Sequence, residues 1–176
     1  MKVNLLLIET DHLFRINLSN RLDRENFRIF PADRPVEIKR LIKKKKIDVA
    51  LLDLSGLKLE GLKILKLIKK AHPLTEVITL NTSGNIAISI EGMKLGAFDD
   101  LLIPVDINTL TDRIRAACTR KKEQEKQGLL MGFQKVMMAA TFAEAGESET
   151  AKAYLEPPNK LSVDPKAKGE GERNGG

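Results

Sequence analysis

Short aliphatic runs alternate with helical stripes along most of this chain. Val3–Ile8 reads as a strand, and Asp11 is a suitable N-cap for a helix carrying Phe14, Leu18 and Leu22 on one stripe. Phe27-Arg28-Ile29-Phe30 alternates as a second short strand, and Ile38, Leu41 and Ile42 mark the apolar face of a second helix. Ile47-Asp48-Val49-Ala50-Leu51-Leu52-Asp53 is nearly all aliphatic, as expected of a strand buried on both faces of a parallel sheet. Gly61 opens a third helix with Leu62, Leu65 and Ile68, which stops at His72-Pro73. Glu76–Leu80 is the fourth strand, Gly84–Leu95 the fourth helix, and Gly96–Leu102 contains the fifth strand. Asp106 caps a fifth helix bearing Leu110, Ile114 and Ala117.

Five strands alternating with five helices predict an α/β fold, a doubly wound five-stranded parallel sheet. Right-handed crossovers then place helices on both faces. The flavodoxin-like order 2-1-3-4-5 opens the ends of strands one and three onto one crevice at the topological switch point. Glu9, Thr10, Asp11 and Asp53 face it. An acid there is costly to bury without partners, so the neighbours of Asp53 decide its chemistry.

The pattern predicts a domain over residues 1–126, a helical extension over 127–156 and a disordered tail over 157–176. Leu129, Phe133, Val136 and Ala140 form a helical stripe that Leu130, Met131, Met137, Met138 and Phe142 widen. Methionine-rich surfaces adapt to varied partners, whereas a simpler role is docking on the chain's own domain. Glu147–Leu155 after Gly146 gives a second short helix and hence a hairpin, ended by Pro157-Pro158. The last residues, rich in Lys, Gly, Glu and Pro, carry the composition of disorder.

Composition narrows the class. With 176 residues, 42% of them hydrophobic, the chain is one ordinary domain plus an extension. No apolar stretch approaches membrane-spanning length, and the N-terminal run is too short for a signal peptide. The single cysteine, Cys118, excludes an intramolecular disulfide and fits a reducing cytoplasm. Residues 127–176 hold six basic and seven acidic side chains, which leaves 24 basic and 17 acidic in residues 1–126. The run Lys43-Lys44-Lys45-Lys46 ends a helix, where cations complement the macrodipole. A nucleic-acid-associated protein is the alternative it raises, but neither interleaved aromatics nor a recognition-helix pattern supports one.

The ordered set of motifs over residues 2–124 resembles the response-regulator receiver family of two-component signalling. Leu5-Leu6-Leu7-Ile8-Glu9-Thr10-Asp11, with Phe14-Arg15 following, is similar to the family's first strand and acidic cluster. Asp48–Asp53 and Gly61 are similar to its phospho-acceptor strand and loop. Val77–Asn81, Met93–Asp99 and Ile103-Pro104-Val105-Asp106 are similar to its fourth strand, its entry to strand five and its Lys-Pro turn. The resemblance implies that Asp53 accepts a phosphoryl group from a kinase histidine, and it makes the peptide before Pro104 a candidate cis bond. It further implies Mg2+ held by first-strand acids (Glu9, with Asp11 as a substitute), Asp53 and the backbone carbonyl of Ser55, since magnesium prefers octahedral oxygen ligands.

The sequence departs from that pattern four times. Thr10 stands at the second metal carboxylate, Asn81 at the hydroxyl after strand four, and Ile103 at the lysine before the proline. Asp100 stands at the aromatic switch position of strand five, as a surface-compatible acid that cannot pack inward. Removing one partner of a buried charge pair costs about 2–5 kcal/mol, and about 1.4 kcal/mol is a factor of ten in rate. Phosphoryl transfer depends mostly on positioning and charge neutralisation, so these losses predict inefficient transfer and a weak switch, with Mg2+ binding weak or absent. The expectation is therefore a stand-alone, non-enzymatic receiver-like signalling protein that acts by protein contacts, with Asp53 an inefficient acceptor. The alternative within the family is a fully phosphorylatable regulator in which Asp11 and Asn81 compensate. Expected partners are a sensor histidine kinase or another signalling protein. A second copy is a further candidate, through the fourth helix, fifth strand and fifth helix or through the tail.

Overall fold

A computed structural model describes residues 2–155. The elements are β1 (Val3–Ile8), α1 (His12–Asp23), β2 (Phe27–Ala32), α2 (Pro35–Lys44), β3 (Val49–Asp53), α3 (Leu54–Ala71), β4 (Glu76–Asn81), α4 (Ile86–Lys94), β5 (Asp99–Leu102), α5 (Ile107–Glu144) and α6 (Ser148–Leu155). All strand pairs are parallel and the order is β2-β1-β3-β4-β5, which makes the chain a doubly wound flavodoxin-like α/β domain with a helical C-terminal extension.

The two-residue strand period divides one set of aliphatic residues between two helical layers. Leu6, Ile8, Ala50, Leu52 and Val77 face α2 and α3, where Ile38, Ile42, Leu65 and Ile68 meet them. Leu5, Leu7, Val49, Leu51, Ile78 and Leu80 face α1 and α5, against Leu18, Leu22, Leu110 and Ile114. Every residue of β3 and β4 is buried, so these two central strands carry the site-bearing ends rigidly. Ile8 lies beside Leu52 and Asp53 beside Leu80, which brings Glu9, Asp53 and Asn81 to the same edge of the sheet.

The start of α3 differs most from the sequence pattern. The helix expected to open at Gly61 begins at Leu54, because Asp53 caps it, and it is interrupted at Lys58 (φ 46°) before running on to Ala71. Gly61 lies inside it because packing demands a small residue: a Cβ there would sit 2.5 Å from Leu54 Cδ2. Within the polar run Arg120-Lys121-Lys122 of α5 one side chain is buried: Lys121 is 4% exposed.

Among the described residues, 2–127 form one compact unit and 128–155 a second. In the second, Gly146 (φ 82°) turns the chain between α5 and α6. Phe142 and Tyr154 stack at 5.3 Å, and Ala139 and Ala151 are buried. The expectation of disorder over 157–176 lies outside the described residues. Among the described residues, no helix is long and apolar enough to cross a membrane.

Candidate functional site

Asp53 ends β3 and is 3% exposed. Its Oδ1 accepts the Ser55 N–H at 2.8 Å and the Ser55 hydroxyl at 2.5 Å, and its Oδ2 accepts the Gly56 N–H at 2.9 Å. The carboxylate thus sits in the N-terminal donors of α3, where a negative charge is favoured. Gly56 permits this approach, since a Cβ there would lie 2.6 Å from Asp53 Oδ2 and 3.1 Å from the Thr10 hydroxyl.

Glu9, 4% exposed, follows β1 and accepts the Asp11 N–H at 2.8 Å. Burial raises its pKa above the ordinary carboxylate value, and the charges of Asp53 and Asp11 add to the rise against the hydrogen bond from Asp11. Asp11 is exposed and its Oδ1 accepts the Phe14 N–H at 2.8 Å, so it serves as the N-cap of α1. Arg15, one turn further, donates to the Glu9 carbonyl at 2.6 Å and pairs with Asp33 at 3.0 Å. Neither the Glu9 nor the Asp53 carboxylate has an ion-pair partner among the described residues.

The other three positions point elsewhere. Asn81 is fully buried, but its amide donates to Ser89 Oγ at 2.7 Å and the Asn85 carbonyl at 3.4 Å, and its Oδ1 accepts the Thr82 N–H at 2.9 Å. Its side chain therefore organises the start of α4. Ile103 follows β5 and, with Phe14, Leu18, Leu80, Val105 and Leu110, lines an apolar cavity of about 240 Å³. Its peptide bond to Pro104 is cis. Asp100 is half-buried and accepts a short hydrogen bond from the hydroxyl of buried Thr79, its neighbour in β4. The sequence pattern expects a surface-compatible acid here; in the structure it is half-buried, with its carboxylate satisfied by a hydroxyl of the neighbouring strand.

These residues do not fit a three-carboxylate magnesium cluster. Among the described residues no group of three His, Cys, Asp or Glu side chains is placed to hold a metal ion. Asp11 is engaged as a helix cap, and both oxygens of Asp53 accept hydrogen bonds from Ser55 and Gly56. Glu9 and Asp53 remain adjacent, and the raised pKa of Glu9 sets a proton against any cation. Gly56 and Arg15 have roles at the site that the sequence pattern does not single out. Their signals were a small residue three after Asp53 and a base four after Asp11.

A buried acid that caps the following helix at the switch point of a 2-1-3-4-5 sheet defines the class as a doubly wound domain of the CheY type. The model of the response regulator receiver domain matches residues 5–115, and the chain belongs to that family. A putative NtrX-like response regulator of Rickettsia felis is 27% identical over 119 residues, covering 66% of this chain and 25% of the relative. The sporulation initiation phosphotransferase F of Bacillus subtilis is 25% identical over 115 residues, covering 65% of this chain and 93% of that protein. A response regulator receiver domain protein from Clostridium thermocellum superposes with a TM-score of 0.65 at 30% identity, over 69% of this chain and 98% of that one. The chain spans about a quarter of the length of the NtrX-like relatives.

Proposed function

We propose that this receiver works mainly through protein contacts and that Asp53 accepts a phosphoryl group slowly, with a weak conformational response. The observation that carries the reading is Ile103, which occupies the lysine position and lines an apolar cavity, while Asp53 is left with neutral donors alone. In the transfer, an Asp53 oxygen bonds to phosphorus as the bond from phosphorus to the donor breaks. Charge accumulates on the phosphoryl oxygens, and fixed cations are what stabilise it. The N–H groups of Ser55 and Gly56 supply partial positive charge at a helix N-terminus, so some transfer is expected. The response is weak because Asn81 is already bound to Ser89 and Asp100 to Thr79. A population shift needs a ligand that interacts differently with the two states, about 5.5 kcal/mol to go from 1:99 to 99:1.

Acetyl phosphate with magnesium, followed by intact mass, tests this reading: acetate leaves as the phosphoryl group moves to Asp53. Slow, substoichiometric labelling that disappears in Asp53→Ala is expected. Rapid stoichiometric labelling of Asp53 would overturn the reading and favour the fully phosphorylatable alternative.

A further inference from the structure

The unit beginning at Gly128 exposes a run of large apolar side chains along α5. Leu129, Phe133 and Val136, on one side of α5, are 77%, 63% and 55% exposed. Leu130 and Met137, beside them, are 57% and 52% exposed. Met131 and Met138, on the opposite side, are 65% and 44% exposed. Leu129, Leu130, Phe133, Val136 and Met137 alone, at half their area or more apiece, leave on the order of 500–600 Å² of contiguous apolar surface on adjoining sides of α5. The largest patch on a typical monomer is about 300–600 Å², and a stable interface takes about 800 Å² from each partner.

A helix that is apolar around most of its circumference belongs inside an assembly. α6 already covers part of the circumference, through Ala151, which lines one cavity with Ala139, and through Tyr154 on Phe142. The remaining surface carries one charge, Lys135, between Gln127 and Ala143. That sparseness argues against a membrane surface, which selects helices with a strongly basic polar face. It argues equally against a nucleic acid or a charged peptide, which would need complementary charges. Residues 156–176 contain only Leu161 and Val163 as large aliphatic side chains, too few to cover this surface. A second copy supplies an equal, uncharged apolar area. Two hairpins placed together bury both in the manner of a four-helix bundle.

We propose that residues 128–155 dock against the same segment of a second copy, two helical hairpins forming a four-helix bundle that dimerises the chain. The dimer does not depend on phosphorylation of Asp53, so its test is independent of the functional reading above.

Sedimentation of the full chain at about 50 µM should give twice the monomer mass. Leu130→Gln/Phe133→Gln/Met137→Gln, which keeps good helix formers, should weaken association at least a hundredfold with an unchanged far-UV CD spectrum. Ile86→Gln/Ile90→Gln, on the exposed face of α4, should leave the dimer intact. A readout tolerant of altered stability is cysteine linking, since Cys118 is buried. Leu130→Cys, Phe133→Cys or Met137→Cys should give a linked dimer on oxidation where Leu59→Cys does not. Truncation after Leu155 should leave the dimer unchanged. A monomeric wild type, a dimer lost only in the α4 variant, no linking at any of the three hairpin cysteines, or a dimer that appears only on truncation would each overturn the proposal.

Discussion

β3 has a buried carboxylate at each end, and the two are treated in opposite ways. Asp48, just before the strand, meets Lys121 at 3.1 Å and accepts the Asn4 N–H at 2.9 Å, while Lys121 also donates to the Ile47 carbonyl at 2.7 Å. Asp53, at the other end, has only neutral donors. The next strand begins the same way, with Glu76 held by Lys69 at 3.1 Å and Arg120 at 3.3 Å. One edge of the sheet neutralises its buried charge internally and acts as scaffold. The other keeps two acids, Glu9 and Asp53, short of positive charge, which is tolerable only near solvent and useful only for a partner from outside.

The largest expected effect is at the neutralised edge. Lys121→Ala leaves Asp48 buried and unpaired, with a loss of about 3–5 kcal/mol, whereas replacing both partners as Asp48→Leu/Lys121→Met recovers most of it. Urea unfolding of the wild type and these two variants measures the contrast, and a loss below about 1 kcal/mol for Lys121→Ala would erase it. At the other edge, Gly56→Ala drives a methyl group against Asp53 Oδ2, with an expected loss of about 1–3 kcal/mol. It should also slow labelling of Asp53 by acetyl phosphate, and unchanged stability and labelling would show that the cap around Asp53 yields freely.

Glu9 gives the smallest effect and the clearest sign. Its pKa is raised above the ordinary 4.5, so between 4.5 and the folded pKa the folded chain retains a proton that the unfolded chain has released. Its contribution to stability is full below about 4.5 and is lost as pH rises through the folded pKa. Glu9→Gln should therefore gain on the wild type as pH rises from about 4.5 toward neutrality. Unfolding midpoints across that range measure the gain, and a pH-independent difference would contradict the assignment of burial as its cause.

The sheet was legible because its strands are short aliphatic runs whose alternation serves two layers, so pattern and packing carry the same information. The start of α3 was not, because Asp53 caps its own following helix and the break at Lys58 leaves no periodic signal. The pair Asp48–Lys121 joins residues 73 positions apart, and nothing local in a basic run marks which lysine turns inward. At the site, the positions of Glu9 and Asp53 followed from strand order. The targets of Asn81 and Asp100 depended on Ser89 and Thr79, which only the folded backbone brings near.

The central claim is that Asp53 lacks the groups that make its phosphorylation fast. Thr10→Asp/Ile103→Lys restores a carboxylate and a cation to the crevice while leaving Asp53 in place. The direct test is the rate of acetyl phosphate labelling, by intact mass with magnesium, for this variant against the wild type. The account predicts an increase of at least about tenfold, equivalent to about 1.4 kcal/mol of barrier. Equal rates in two folded proteins would contradict it.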